Sequence, residues 1–342
     1  MLKVIEEINY EKGKKYWLYR VKHNYTSSEE LIKVMAKELK TDEKQIHVLK
    51  PLHGKFTKIQ YVYVNSKRIR LKTEKIKLSF GNATLIKKVD SLELKNYITH
   101  LNLMHPISTE EKIWFNYAIN YFIDEFQYNF KKLDILMRKE NDTPQKLVHA
   151  IFVSVIHDLF DKGKTAEILI KAVKKKDYEK LAIIKNESIK KSAKDLINEN
   201  YEDVLKRLPR NLVKKYVTFF FHKQWNKVLS CALDQLTPER FKVKYKSLIL
   251  FLKTKVPLIK FDDKLSIDLI SNNDAINEAI AKERKRLKMF FEYFKEYYDN
   301  YERNIFVTFK ELTFKENEII YKVSSQDNFL VARSYLLVKA NN

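Results

Sequence analysis

The densest run of side chains suited to binding chemistry lies between residues 55 and 77. Glu74 is the only acid in this run, and Tyr61 and Tyr63 lie among the basic residues. The basic residues are Lys55, Lys58, Lys67, Arg68, Arg70, Lys72, Lys75 and Lys77. Because alternate residues of a β-strand share one face, several of these cations can meet RNA phosphates together while the tyrosines stack on unpaired bases. The alternative is an ordinary solvated face.

Two further basic clusters occur in the middle of the chain. Their members are Lys171, Lys174, Lys175, Lys176 and Lys180, and Lys206, Arg207, Arg210, Lys214 and Lys215. RNA contact and a solvated helix face are both open for these clusters.

The chain as a whole is strongly basic, with 66 Lys and Arg against 44 Asp and Glu and a formal net charge of +22. Such a charge favours nucleic acid or an anionic membrane as a partner, and a lysine-rich source proteome is the alternative explanation. No apolar run reaches about 18 residues, so we predict no membrane partner. The segment Met1–Glu7 lacks the apolar stretch of a signal peptide, and we expect a cytoplasmic protein.

Sequence signatures of cofactor and metal sites are missing. Neither G-x-G-x-x-G nor G-x-x-x-x-G-K-[ST] occurs, and the chain has only 4 glycines. Cys231 is the single cysteine, and the 8 histidines show no H-E-x-x-H spacing. We therefore expect neither a cofactor nor a bound metal.

Hydrophobic periodicity predicts α/β ends and a helical middle. Strand patterns cover 2–8, 16–21, 60–64, 67–71, 304–309, 319–323 and 329–338. Helical patterns cover 27–39, 110–137, 146–160, 165–175, 201–208, 211–236 and 274–298, with N-cap candidates at Ser27, Ser28, Ser108 and Asp274. These patterns predict an α+β protein in which 1–140 and 300–342 form one α/β domain and 141–299 an inserted, mainly helical domain.

Short segments in a fixed order along the chain carry a family resemblance. They are L-K-V-I-E at 2–6, Y-W-L-Y-R-V-K-H-N-Y-T at 16–26, K-R-I-R-L at 67–71, F-G-N-A at 80–83, N-Y-F at 120–122, L-P-R at 208–210, W-N-K-V-L at 225–229 and N-F at 328–329. Together they resemble the motifs of the TruD family of RNA pseudouridine synthases. The resemblance implies a pseudouridine-synthase-like mixed sheet with helices, an inserted TruD-type helical domain, and tRNA, rRNA or the ribosome as partner. Lys22, in a segment similar to the family's K-x-N-x-T, joins the predicted RNA contacts.

The family's catalytic aspartate is missing from the matching stretch. The family motif G-x-K-D-K-x-A-x-T-x-Q aligns with Lys50–Gln60, and the aspartate position falls at or next to His53. Isomerising uridine requires a carboxylate near the sugar, as nucleophile or base. No Asp or Glu occurs between Lys44 and Lys72. The resemblance therefore implies a scaffold that has lost its catalytic group.

Other groups can be considered as replacements for that carboxylate. His53 can act as a general base near neutral pH, and an exposed loop histidine is the alternative. Glu43, Glu74 and Asp124 are the neighbouring carboxylates, and we expect all three to be solvated.

Asn120 and Phe122 match family positions that line the uridine pocket. A retained Phe122 can stack on a flipped base. The alternative is that the aromatic residues of this segment are spaced for packing in a helical core.

Three functions remain open from sequence. The first is a non-catalytic RNA-binding protein on a TruD-like scaffold. The second is an active uridine-to-pseudouridine isomerase with a rearranged catalytic group. The third is a ribosome- or protein-interaction subunit.

Overall fold

The structure is a computed structural model that describes residues 1–52, 54–65, 74–122, 136, 142–160, 164–182 and 184–341. His53, Lys67, Arg68, Arg70, Lys72 and Asp124 lie outside the described residues. The predicted α+β class is confirmed, since helices and a mixed sheet both contribute.

The described residues divide into two compact units. Unit 1 falls within Met1–Tyr128, Thr237–Asp263 and Asn304–Asn342, and unit 2 falls within Asn129–Leu236 and Lys264–Arg303. Unit 2 is thus inserted in sequence between segments of unit 1. The domain boundaries given above stay a prediction.

Unit 1 is built on a mixed sheet. Its described strands are β1 (Leu2–His23), β2 (Ile46–Val48), β3 (Thr57–Asn65), β4 (Lys75–Leu78), β5 (Gly81–Asn102), β10 (Phe309–Phe314) and β11 (Glu318–Ser324), in the order β10-β11-β5-β1-β3-β2 with β4 also on β5. Residues 2–8 and 16–21, predicted as separate strands, belong to one long β1 that runs antiparallel to β5.

Strand β3 pairs with both arms of β1. Lys3–Ile5 run parallel to Thr57–Ile59, whereas 16–23 run in the opposite direction, from Tyr16 beside Asn65 to His23 beside Lys58. The arms meet at a bulge after Lys12, where the carboxylate of Asp90 accepts hydrogen bonds from the backbone N–H groups of Lys14 and Lys15. Because both arms of β1 pair with β3, residues that are far apart in sequence lie on one continuous sheet.

One helix covers the inner face of this part of the sheet. Helix α1 (Ser28–Leu39) begins at the N-cap Ser27, whose side chain accepts from the N–H of Glu30. Its apolar side chains pack with inward-facing residues of four strands in one core cluster: Tyr19, Val21, Leu31, Met35, Val62, Val64, Ile76 and Ala83. Because side chains alternate along each strand, the intervening residues point away from this core.

The helix predicted over 110–137 ends at Asn116, so the prediction is wrong for 117–122, and 123–135 and 137 lie outside the described residues. Helix α2 (Thr109–Asn116) starts with the predicted Ser108–Glu111 capping box, in which both reciprocal bonds form. The next residues instead pair singly with other segments: Ala118 bridges Phe251, and Ile119 bridges Phe306. Backbone pairing of this kind cannot coexist with helical hydrogen bonding of the same groups.

Near the carboxyl end, two predicted strands are also wrong. Residues 305–307 lie beside 118–120, and the strand β10 begins only at Phe309. Residues predicted as a final strand form helix α10 (Val331–Lys339). Its buried positions Val331, Ala332, Tyr335 and Val338 have helical spacing, which the β-branched and aromatic composition concealed.

Unit 2 is mainly helical. Its described helices are α3 (Pro144–Leu159), α4 (Lys164–Lys175), α5 (Tyr178–Leu181), α6 (Glu187–Ile197), α7 (Tyr201–Arg207), α8 (Arg210–Leu236) and α9 (Asp274–Phe294). Phe220 stacks against Phe290 and Phe221 against Phe291, which joins α8 to α9. The N-cap of α9 is Asn273, one residue before the predicted Asp274.

Two short strand pairs complete the description. Strands β6 (Lys242–Tyr245) and β7 (Leu248–Leu252) form one small sheet, and β8 (Lys264–Ser266) and β9 (Glu302–Asn304) form another. None of the helices in the described ranges is both long enough and apolar enough to cross a membrane.

Candidate nucleic-acid interface

The outer face of β1, β3, β4 and β5, opposite α1, carries two rows of polar side chains. In the first row Lys22 lies opposite Asn82, which lies opposite Lys77. In the second row Tyr61 lies opposite Arg20, Arg20 opposite Thr84, and Thr84 opposite Lys75. Directly opposed residues of antiparallel strands share a face, so these seven side chains form one surface, which we call the basic face.

All members of the basic face reach solvent. Arg20, Lys22, Lys75 and Lys77 are exposed, as are Asn82 and Thr84, and Tyr61 is half-buried at the end of its row. Cations in the same row are about 10 Å apart, two strand spacings, and the rows are about 7 Å apart. The surface is therefore small, dense in positive charge and lined with hydrogen-bonding groups.

The four cations of the basic face lack neutralising partners within the part of the chain that is described. None of them lies within 4.0 Å of a described carboxylate. A cation that keeps its full charge attracts phosphate, whereas the field of an ion pair largely cancels within a few ångströms. This separates the basic face from the other basic clusters.

Most cations of the two unit 2 clusters are already paired. The pairs are Lys171–Glu167, Lys176–Glu199, Lys180–Asp177, Lys206–Asp203, Arg207–Asp195, Lys214–Asp299 and Lys215–Asp158. Arg210 lies over the ring of Tyr297. The solvated helix face is therefore the better description of these clusters.

The predicted RNA contacts are only partly brought together. Lys22 and Tyr61 belong to the basic face, and Lys55 is exposed in the loop that precedes β3. Tyr63 is half-buried, with its ring 5.2 Å from those of Tyr16 and His47. Lys67, Arg68, Arg70 and Lys72 lie outside the described residues, so they stay predictions.

The predicted RNA contact of Lys58 needs correction, because the structure buries this side chain. Its Nζ donates hydrogen bonds to the carbonyl oxygens of Tyr25 (2.6 Å), Gly54 (2.7 Å) and Phe56 (3.3 Å). Burial lowers the pKa of Lys58 to about 8. With all three donors used inside unit 1, this ammonium group cannot serve as a surface contact for phosphate.

The residues expected to line a base pocket are also buried. Asn120 donates to Asp327 Oδ1 (2.8 Å) and accepts from the N–H of Asn328 (2.9 Å), while Phe122 is only 6% exposed. Asn120 therefore fastens the turn that precedes Phe329. The pocket itself stays a prediction.

Three segments matched to the family motifs nevertheless meet in unit 1. Lys50 Nζ donates to the carbonyl oxygen of Ser325 (3.0 Å), which joins the 50–60 stretch to the turn held by Asn120. Gly54 has a φ of +115°, and a Cβ placed there would lie 3.3 Å from Nη1 of Arg333. Arg333, which the sequence analysis did not single out, is thus close to the loop that contains Gly54.

A buried polar group lies under this loop. The amide of Gln60 bonds to the carbonyl oxygen of Lys50 (2.9 Å) and accepts from His23 Nε2 at 3.3 Å. Burial, with a contribution from the charge of Lys58, lowers the pKa of His23 to about 4, so its ring is neutral.

Glu6 is a buried carboxyl group that sequence reasoning left unexamined. Its Oε2 accepts from the backbone N–H of Tyr61 (2.7 Å), and burial raises the pKa of Glu6 to about 8. The alternation of side chains along a strand could have indicated this burial, because Glu6 follows Val4 on the inward face of β1. The predicted exposure of Glu43 and Glu74 is confirmed.

Comparison with solved structures finds a structural likeness. No protein-family model matches the chain, and no curated protein matches it in sequence. A solved structure, the "Putative tRNA pseudouridine synthase D (TruD)" from Methanosarcina mazei, aligns with a TM-score of 0.49 at 13% identity. The alignment covers 96% of this chain and 90% of that chain.

Metal chemistry has no candidate centre in the described ranges. No cluster of three or more His, Cys, Asp or Glu side chains there is arranged to hold an ion. The single cysteine, Cys231, is exposed.

Proposed function

We propose that this protein binds structured RNA, tRNA or rRNA, through the basic face and does not isomerise uridine. The observation that carries the proposal is the pair of exposed rows on the sheet, whose four cations have no described carboxylate within 4.0 Å. Lysine and arginine side chains on phosphates supply most of the affinity of such proteins.

The chemistry of the basic face suits RNA. Asn82 and Thr84 lie between the cations and can hydrogen-bond to phosphate or 2′-hydroxyl oxygens. Tyr61, half-exposed at the end of the second row, offers a ring edge for an unpaired base.

The absence of catalysis is supported by the sequence of the loop. No Asp or Glu occurs between Lys44 and Lys72. Glu6 is held protonated near neutral pH by burial and bonds to the backbone, so it is not poised as a nucleophile. Affinity without turnover is the behaviour that these residues favour.

Salt-dependent binding tests the interface. Fluorescence anisotropy with labelled tRNA and an rRNA hairpin compares the parent with the variant R20A/K22A/K75A/K77A. The control K171A/K180A/K214A/K215A removes the same charge from ion-paired positions. We expect the first variant to bind at least tenfold more weakly and to lower the slope of log K against log salt by about three. Equal losses in both variants would show that only net charge matters and would refute the interface.

A second experiment tests catalysis. Purified protein is added to total RNA from cells that lack it, and pseudouridine is mapped chemically. We expect no new pseudouridine. New sites that disappear with His53→Ala would identify an isomerase instead, and binding that survives nuclease and high salt would identify a protein partner.

A further inference from the structure

Helix α9 carries a basic stripe that belongs to neither of the unit 2 clusters described above. Arg284, Lys285 and Lys288 lie within an arc of about 100° because each helical residue turns by about 100°. All three are exposed, and none lies within 4.0 Å of a carboxylate in the described parts of the chain. Their neighbour Arg286 differs, since it bonds to Glu283 and Gln224. The stripe is thus a group of three neighbouring cations in unit 2 that have no described carboxylate within 4.0 Å.

An open groove of about 830 Å³ runs beside this stripe. It is enclosed by the start of α3, by α7 and by the second half of α9, with Lys285 and Lys288 on its edge. Met289, Tyr293 and Tyr297 give it apolar and aromatic surface, and Met289 is 56% exposed. Sites for small organic ligands have volumes of about 300–1,000 Å³, so a nucleotide fits.

The charges on the α9 side of the groove favour an anion. On the α7 side, Lys206 lies within 4.0 Å of both Glu202 and Asp203, so this cluster carries one net negative charge. The groove is also lined by Glu292, Lys295 and Glu296, and Glu292 lies on the same side of α9 as the stripe. The stripe therefore keeps an excess of positive charge next to a surface suited to a flat, apolar ring.

We propose that this groove binds an unpaired stretch of RNA. Phosphates would lie on Arg284, Lys285 and Lys288, and a base would lie against Met289 and Tyr293. A basic track beside a stacking surface is the usual arrangement for single-stranded nucleic acid. The proposal rests on RNA being the ligand of the protein, and it adds a contact in unit 2 that takes single strands.

Binding of a fluorescein-labelled oligouridine 12-mer to the full chain tests this contact. The variant R284A/K285A/K288A should bind at least tenfold more weakly and lower the salt slope by about two. The control K171A/K180A/K214A removes three ion-paired cations from the same unit and should stay within twofold of the parent. Met289→Ala should weaken binding without changing the slope. A 4-thiouridine oligonucleotide should crosslink within residues 284–297.

The outcomes separate this proposal from the proposed function. Equal oligouridine binding by the α9 variant and its control would refute RNA binding in the groove. If R20A/K22A/K75A/K77A still lost tRNA binding, the proposed role of the basic face would stand. A parent protein that binds neither RNA would overturn both. Crosslinks confined to residues outside 284–297 would also overturn the groove.

Discussion

Lys58 Nζ donates a hydrogen bond of 2.6 Å to the carbonyl oxygen of Tyr25. The same ammonium group bonds to the carbonyl oxygens of Gly54 and Phe56, so one side chain ties the loop before β3 to the end of β1. Lys58, which the sequence predicts as a surface contact for RNA, thus has a structural role.

Replacing Lys58 by Met should destabilise the fold. The change leaves three carbonyl groups without this donor, two of them in buried hydrogen bonds, and we expect the free energy of unfolding to fall by about 2–4 kcal/mol. Urea unfolding followed by circular dichroism measures the loss. The exposed Lys55→Met should change stability by less than about 0.5 kcal/mol. The RNA affinity of folded Lys58→Met should stay within twofold of the parent. A tenfold loss would mean that Lys58 contributes to RNA binding.

The buried carboxyl group of Glu6 predicts a specific pH dependence of stability. Its folded pKa of about 8 lies above its ordinary value of 4.5, so the folded state holds more protons between these values. The stabilisation is complete below pH 4.5 and is lost as pH rises to 8, at up to about 1.4 kcal/mol per pH unit.

Glu6→Gln removes this titration while it keeps an acceptor for the N–H of Tyr61. The variant should therefore gain stability relative to the parent as pH rises from 4.5 to 8. Urea unfolding at pH 5, 6, 7 and 8 measures the difference between the two proteins, in which the titration of His23 cancels. A difference that does not vary with pH would mean that Glu6 is ionised in the folded state.

The hydrogen bond between Asn120 and Asp327 can be tested by exchanging the amide and the carboxylate. Asn120→Asp places two carboxylates where a 2.8 Å hydrogen bond now lies, and stability should fall by about 2 kcal/mol or more. Adding Asp327→Asn should recover most of the loss, because the amide can then donate to Asp at position 120. Melting curves of both single variants and the double variant test the coupling. Losses that simply add would show that the two side chains do not interact.

Gly81 is required by a close approach of the backbone. A Cβ at this position would lie 2.2 Å from the carbonyl oxygen of Lys22 and 2.9 Å from the Cα of His23. Gly81→Ala should therefore separate β5 from β1 beside Lys22, with a loss of about 2–3 kcal/mol. Asn82→Ala, on the exposed side of the next residue, is the matched control and should have little effect on thermal unfolding. If Gly81→Ala melts like the control, the strands pack less closely than the structure shows.

Local sequence patterns predicted the secondary structure correctly where it depends on residues of the same element. The N-cap Ser27, the Ser108–Glu111 capping box and most helices of unit 2 follow from residue type and spacing. Local patterns failed where tertiary pairing competes, as at 117–120, whose backbone groups bond to 250–252 and 305–307 instead of continuing α2.

The sequence by itself determined the α+β class, the strong positive charge and the absence of a carboxylate in the loop from 50 to 60. It also indicated that a basic sheet surface exists. Only the tertiary structure decided which cations form that surface. Arg20, Lys22, Lys75 and Lys77 meet because β5 pairs with both β1 and β4, while Lys58 turns inward to three carbonyl groups. Strand pairing and burial depend on contacts between residues distant in the chain, which local spacing does not encode.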